Sequence, residues 1–177
     1  MPFDLMFITH EAINFFLLFS FYGFFKNILF DKEKEVFIRD GEFHTLFNHD
    51  KDLGCDFSLL KKRYKSRIKN INLAMKSKDH IVFIQNSEDT SNDINTLYEI
   101  IRFKRKNRPF SLILIDVSHT NSIDRETVNN NIILVRHPYP TKEYIWWHPD
   151  FRNSEIGKSF EDSLCRKIKS ILSNLST

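Results

Sequence analysis

The chain has 177 residues, of which 41% are hydrophobic and 28% charged, with 4 glycines, 5 prolines and a formal net charge of +3. That balance excludes a disordered chain and a linker-rich assembly, and the mild charge permits a nucleic-acid partner without demanding one. Two cysteines, Cys55 and Cys165, exclude a disulfide scaffold and a Cys-x-x-Cys metal pair, and they point to reduced thiols in a cytoplasmic protein.

The length suits one domain over residues 1–177. Near the start, "AINFFLLFSFYGFF" is strongly apolar, but Asp4 and Glu11 are wrong for a signal peptide. The run gives about 14 residues before Lys26, short of the roughly 20 a spanning helix needs. It reads first as a helix over residues 10–27, covered on more than one face by the core, a second copy or a protein partner. Membrane association is the second reading. "EVFIRD" (35–40) and "FHTLF" (43–47) read as short strands flanking Gly41, followed by a polar loop from Asn48 to Cys55.

Leu59, Leu60, Tyr64, Ile68, Ile71 and Leu73 recur at mostly helical spacing and predict a long helix over 58–77, with "KKRYKSRIK" as its wet face. "HIVFIQ" (80–85) reads as a buried strand, because branched residues pack well on a pleated surface. "DTSNDINTLYEIIRFKRK" (89–106) reads as a helix capped by Ser91, Asn92 or Asp93. "FSLILIDVS" (110–118) is the strongest strand signal. Residues 118–131 read as loop, "IILVRH" (132–137) as a third buried strand, and 159–175 as an amphipathic helix. Cys165 is expected to face inward with Phe160 and Ile168. The order predicts an α/β fold: a mostly parallel sheet of about three to five strands flanked by helices, with polar site residues at the strands' carboxyl ends.

Several short pieces carry a resemblance. They are Pro2-Phe3-Asp4-Leu5, Phe47-Asn48-His49-Asp50, Tyr64-Lys65-Ser66-Arg67-Ile68, Ile81-Val82-Phe83-Ile84-Gln85, and Trp146 with Trp147. In that order they resemble a bacterial family of unknown function described as papain-like cysteine peptidases. The resemblance spans most of the chain and implies a thiol hydrolase. Leu5 stands where the family has tryptophan, and Gln85 where it has arginine. The family's Ser-Leu-Gly-x-x-Cys segment, which carries its presumed nucleophile, precedes the Pro-Phe-Asp element and has no counterpart here. The expectation is therefore an incomplete or catalytically degenerate relative.

Thiol catalysis needs a thiolate, a base within hydrogen-bond reach and a group that orients the base. In "FNHDKDLGCDF", His49 is the candidate base, Asp50 its orienting group and Cys55 a substitute nucleophile. The plainer alternative is a turn histidine, a capping aspartate and an inert loop thiol. Asp116 and His119 at a strand end, and Trp147 in "YIWWHPD", are candidate substrate-binding residues. Their plainer reading is a capped loop and a packed indole.

No metal site is expected, since no His-x-x-x-His pair occurs. No nucleotide cofactor is expected, since there is no glycine-rich phosphate loop. "KKRYKSRIK" and "RFKRKNRPF" could grip phosphates, but they read first as solvated helix faces, which leaves nucleic-acid binding as the third function. The second is a non-catalytic binding or assembly module for a protein partner or a glycan.

Overall fold

The computed structural model describes residues 7–47, 50–87, 93–117, 125–129, 131–145 and 149–175. His49, His119, Trp146 and Trp147, and the whole Pro-Phe-Asp-Leu element, lie outside them. The chain is a mixed α/β protein whose contacts fall into two compact units. One comprises Met1–Ile81 with Ser91–Pro109, the other Val82–Thr90 with Phe110–Thr177.

The first unit holds an antiparallel sheet that the expectation of one mostly parallel sheet did not contain. Its strands are β1 (Phe7–Ile8), β2 (Ile28–Asp31), β3 (Val36–Arg39) and β4 (Thr45–Phe47), in the order β1-β4-β3-β2. The cause is local. β2 and β3 are joined by a short connection in which Asp31 Oδ1 accepts from the amides of Glu33 and Lys34, and this turns the chain straight back on itself. Such a short connection permits only antiparallel pairing.

Helix α1 (His10–Leu18) starts where the Thr9 hydroxyl accepts from the Ala12 amide. It ends nine residues before the expected 27. The Phe21 amide bonds the Phe16 carbonyl at 2.7 Å and the Ser20 amide bonds the Leu17 carbonyl at 3.3 Å, a Schellman ending with Ser20 left-handed at φ 53°. Breaking the helix there lets Phe21 and Phe24 fold back. Phe24 stacks edge-on against Phe16, 5.0 Å between centroids, in a buried aromatic cluster that includes Phe47 and Tyr64. Ring burial of this size outweighs two strained residues, Ser20 and the left-handed Phe21 at φ 65°.

Helix α2 (Phe57–Lys76) is capped by Asp56, whose Oδ1 accepts from Ser58 and Leu59, and it buries Leu60, Tyr64, Ile71 and Met75 along one stripe. Helix α3 (Asp93–Arg105) buries Ile94, Leu97, Ile100 and Ile101 and packs against α1 and α2.

The second unit holds β5 (Ile81–Ser87), whose first residue belongs to the first unit, with β6 (Phe110–Asp116), β7 (Arg125–Asn129) and β8 (Ile132–Arg136), in the order β5-β6-β8-β7. β6 and β8 run parallel, from Leu112 opposite Ile132 to Asp116 opposite Arg136. β7 pairs antiparallel on β8 across a bulge between Thr127 and Asn129, where a loop was expected. "RETVN" lacks the apolar run of a buried strand, and it is the unpaired edge of β8 that recruits it.

The short helix α4 (Pro149–Arg152) and the long α5 (Glu155–Leu175) follow. From α5, Phe160, Leu164 and Ile171 join Ile113, Ile115, Val117, Ile133, Val135 and Tyr144 in one core. Cys165 is exposed, against expectation. One step along a helix turns the side chain by about 100°, so the residue after buried Leu164 leaves the core. No helix among the described residues is long and apolar enough to cross a membrane.

Candidate functional site

Two places hold the candidate residues, one in each unit. In the first unit the chain leaves β4 and turns, with the Asp50 amide bonded to the Phe47 carbonyl at 3.3 Å, into a single 3-10 turn over Lys51–Leu53. Asp50 is only 2% exposed. Its Oδ1 accepts from Arg63 Nη1 at 2.7 Å and its Oδ2 from the Tyr64 hydroxyl at 2.7 Å. Arg63 also grips Asp52, through Nη1 to Oδ1 at 3.1 Å and Nη2 to Oδ2 at 2.7 Å.

The hydrogen bonds to Asp52 and then Asp50 raise the Arg63 pKa above its ordinary value. The bond from Arg63 holds the Asp52 carboxyl below its own. The arrangement is a clasp: two consecutive residues of α2 hold both ends of the loop's acidic turn, and both Asp50 oxygens are engaged. A buried carboxylate requires such partners, since an unpaired one costs several kcal/mol, roughly, in an apolar setting.

Cys55 follows Gly54, which is left-handed at φ 54°, and its thiol side chain is exposed. His49 lies outside the described residues. Arg63 and Tyr64 were not among the candidates. The sequence signal for them was present, since Tyr64 belongs to the Tyr-x-x-Arg-Ile piece, but its spacing marked it only as apolar helix face.

In the second unit the polar residues gather at the carboxyl ends of β6 and β8, where parallel strands leave their terminal carbonyls and side chains beyond the sheet. Asp116 is buried, with its Oδ2 3.7 Å from Arg136 Nε, its register partner on β8. Pairing continues past the strands: the His137 amide bonds the Asp116 carbonyl at 2.8 Å and the Tyr139 amide bonds the Val117 carbonyl at 3.2 Å.

The buried His137 ring sits 4.5 Å from the Phe160 ring, with Nε2 3.0 Å from the Phe160 carbonyl. A carbonyl only accepts, so Nε2 carries the proton. Lys167 of α5 donates to the Arg136 carbonyl at 3.2 Å. This end therefore gathers a carboxylate, a guanidinium, an imidazole and an ammonium, with Asp116 and His137 buried and Arg136 partly exposed. Of the expected ligand residues, Asp116 is there, while His119 and Trp147 lie outside the described residues. Arg136 and His137 close the "IILVRH" run, at a strand end where polar site residues were expected, although neither was singled out as a ligand residue; Lys167 was missed.

Among the described residues, no group of three or more His, Cys, Asp or Glu side chains is placed to hold a metal ion. No family model, curated protein or solved structure matches the chain. The resemblance to papain-like peptidases rests on the quoted motifs.

Proposed function

We propose that this chain is a catalytically degenerate relative of the papain-like thiol hydrolases, working in the cytoplasm as a binding module. In this reading residues 1–177 act as one α/β domain, and the ligand face is the carboxyl end of β6 and β8. The observation that carries the proposal is the set of charged and polar residues there, Asp116, Arg136, His137 and Lys167.

Two further facts support the reading. The Asp50 carboxylate is taken up by Arg63 and Tyr64, so it serves the loop's fold. Cys55 and Cys165 are both exposed and unpaired, the usual state of thiols in a reducing compartment.

An activated thiol needs a lowered pKa and so labels faster in the native protein than in the unfolded chain. The test is the rate of iodoacetamide labelling at each cysteine, native against urea-denatured. The expected result is equal or slower native labelling at both positions, and no cleavage of a casein substrate. Native labelling of Cys55 about tenfold above the denatured rate, with casein cleavage abolished by Cys55→Ser, would overturn the proposal.

A further inference from the structure

The turn that ends α1 presents apolar residues to solvent. Leu18 is 40% exposed, Phe19 52% and Tyr22 71%. Phe103 on α3 is also 71% exposed, and it lines the same open furrow of about 800 Å³ as Leu18, together with Ile100, Arg102 and Lys106. The Lys104 ammonium donates to the Ser20 hydroxyl at 2.9 Å, which ties the turn to the end of α3. Lys26 lies 4.9 Å over the Tyr22 ring. Glu99, in the same furrow, is engaged by Arg102 at 2.6 Å, so Lys26, Lys104 and Lys106 set the local charge.

Leu18, Ile100 and Phe103 share one open furrow, and an exposed apolar patch, unlike a lone exposed ring, marks an interaction surface. Phenylalanine and tyrosine on a tight turn, ringed by lysines with long apolar stems, match the boundary between lipid headgroups and acyl chains. There the rings leave water while the ammonium groups reach the phosphates. A second copy meeting this face about a twofold axis would set the same lysines against each other.

We infer that the turn over residues 18–26 and the last turn of α3 form a peripheral docking face for an anionic lipid surface. The chain rests on the membrane through Phe19, Tyr22 and Phe103, and no helix needs to cross it. This inference is independent of the ligand face on the second unit.

The test is co-sedimentation of the full chain with vesicles of phosphatidylcholine alone, or containing about 30% phosphatidylserine, since each lysine near an anionic surface strengthens binding roughly fivefold. Binding to the phosphatidylserine vesicles is expected at low salt. It should fall about tenfold or more in 0.5 M NaCl, where the Debye length is only about 4 Å. The paired change Tyr22→Ser with Phe103→Ser touches two exposed side chains. It is expected to weaken binding by about tenfold or more through lost apolar burial, with an unchanged circular dichroism spectrum.

The inference is overturned by any of four results. These are no low-salt binding to phosphatidylserine vesicles, equal binding to both vesicle types, binding that the paired substitution leaves intact, or self-association in light scattering that the same substitution removes. The last would make the face a contact between copies.

Discussion

At the scale of single residues, the side chain on which most depends is Arg105. It is fully buried, and its guanidinium donates to the carbonyls of Ala74, Ser77, Asp79 and Pro109. Two of these, those of Ala74 and Ser77, lie at the end of α2, where Ala74 also accepts from the Ser77 amide at 3.2 Å, so Arg105 adds the C-terminal cap that no glycine supplies. Burial lowers its pKa from the ordinary arginine value, yet arginine stays charged throughout the working range. Arg105→Ala strands those carbonyls and opens a cavity, and about 3 kcal/mol of stability is expected to vanish in urea titration. Arg105→Lys keeps the charge and loses the fork, and it should recover only part of that loss.

The Arg63 clasp belongs to the same scale and carries a pH signature. The hydrogen bond from Arg63 depresses the Asp52 pKa in the folded protein, and hydrogen bonds from Ser58 and Leu59 depress that of Asp56. A depressed carboxyl stabilises the fold above the unfolded value of 3.8, and that contribution drains away as pH falls through the lower folded value. Melting temperature should therefore decline below about pH 4, and Asp52→Asn should flatten that decline while leaving the neutral-pH clasp on Asp50 in place. An unchanged acid limb in Asp52→Asn would show that the exposed carboxylate carries no folding linkage. The clasp was not legible in the sequence, because Asp50 and Tyr64 are 14 residues apart and nothing local says that they meet.

At the scale of elements, α5 shows how periodicity speaks and where it stops. Phe160, Leu164 and Ile171 recur at spacings of four and seven and are buried, and the helix runs as expected apart from four extra residues at its start. A cysteine resembles a small hydrophobe in composition, but position on the helix decides its burial, and Cys165 falls outside the stripe. Cys165→Ser is expected to change stability by less than about 0.5 kcal/mol, whereas Leu164→Ala should cost about 3 kcal/mol in the same thermal melts. Comparable losses for the two would place Cys165 back in the core.

The N-terminal helix fails for a different reason. Apolar content promised 18 residues of helix, and α1 has 9. Phenylalanine has no strong helical preference, and a turn through Ser20 to Gly23 lets more rings reach one cluster than a straight rod could.

At the scale of the whole molecule, the chain passes between the two compact units three times, at residues 81–82, 90–91 and 109–110. The segment holding α3, between β5 and β6, belongs to the first unit, while both strands belong almost wholly to the second. Neither unit is a continuous stretch of sequence, so each needs the other's ends in place before its own segments can pair. One calorimetric transition with matching calorimetric and van't Hoff enthalpies is expected, the mark of a single cooperative domain. Two resolved heat absorptions would assign the units to separate domains.

The amino-acid order by itself determined which segments bury a face. β5, β6, β8, α2, α3 and α5 stand where apolar runs and three-to-four spacing put them, because those patterns depend only on neighbours within a turn or a pleat. Tertiary structure alone decided where α1 stops, that Arg125–Asn129 pairs as an edge strand, that Arg105 caps α2 from 31 residues away, and that Asp50 answers to Arg63 and Tyr64. Each of these depends on which surfaces meet in space. Burial then makes any unmet polar group expensive, so the partner is chosen by geometry and not by position along the chain.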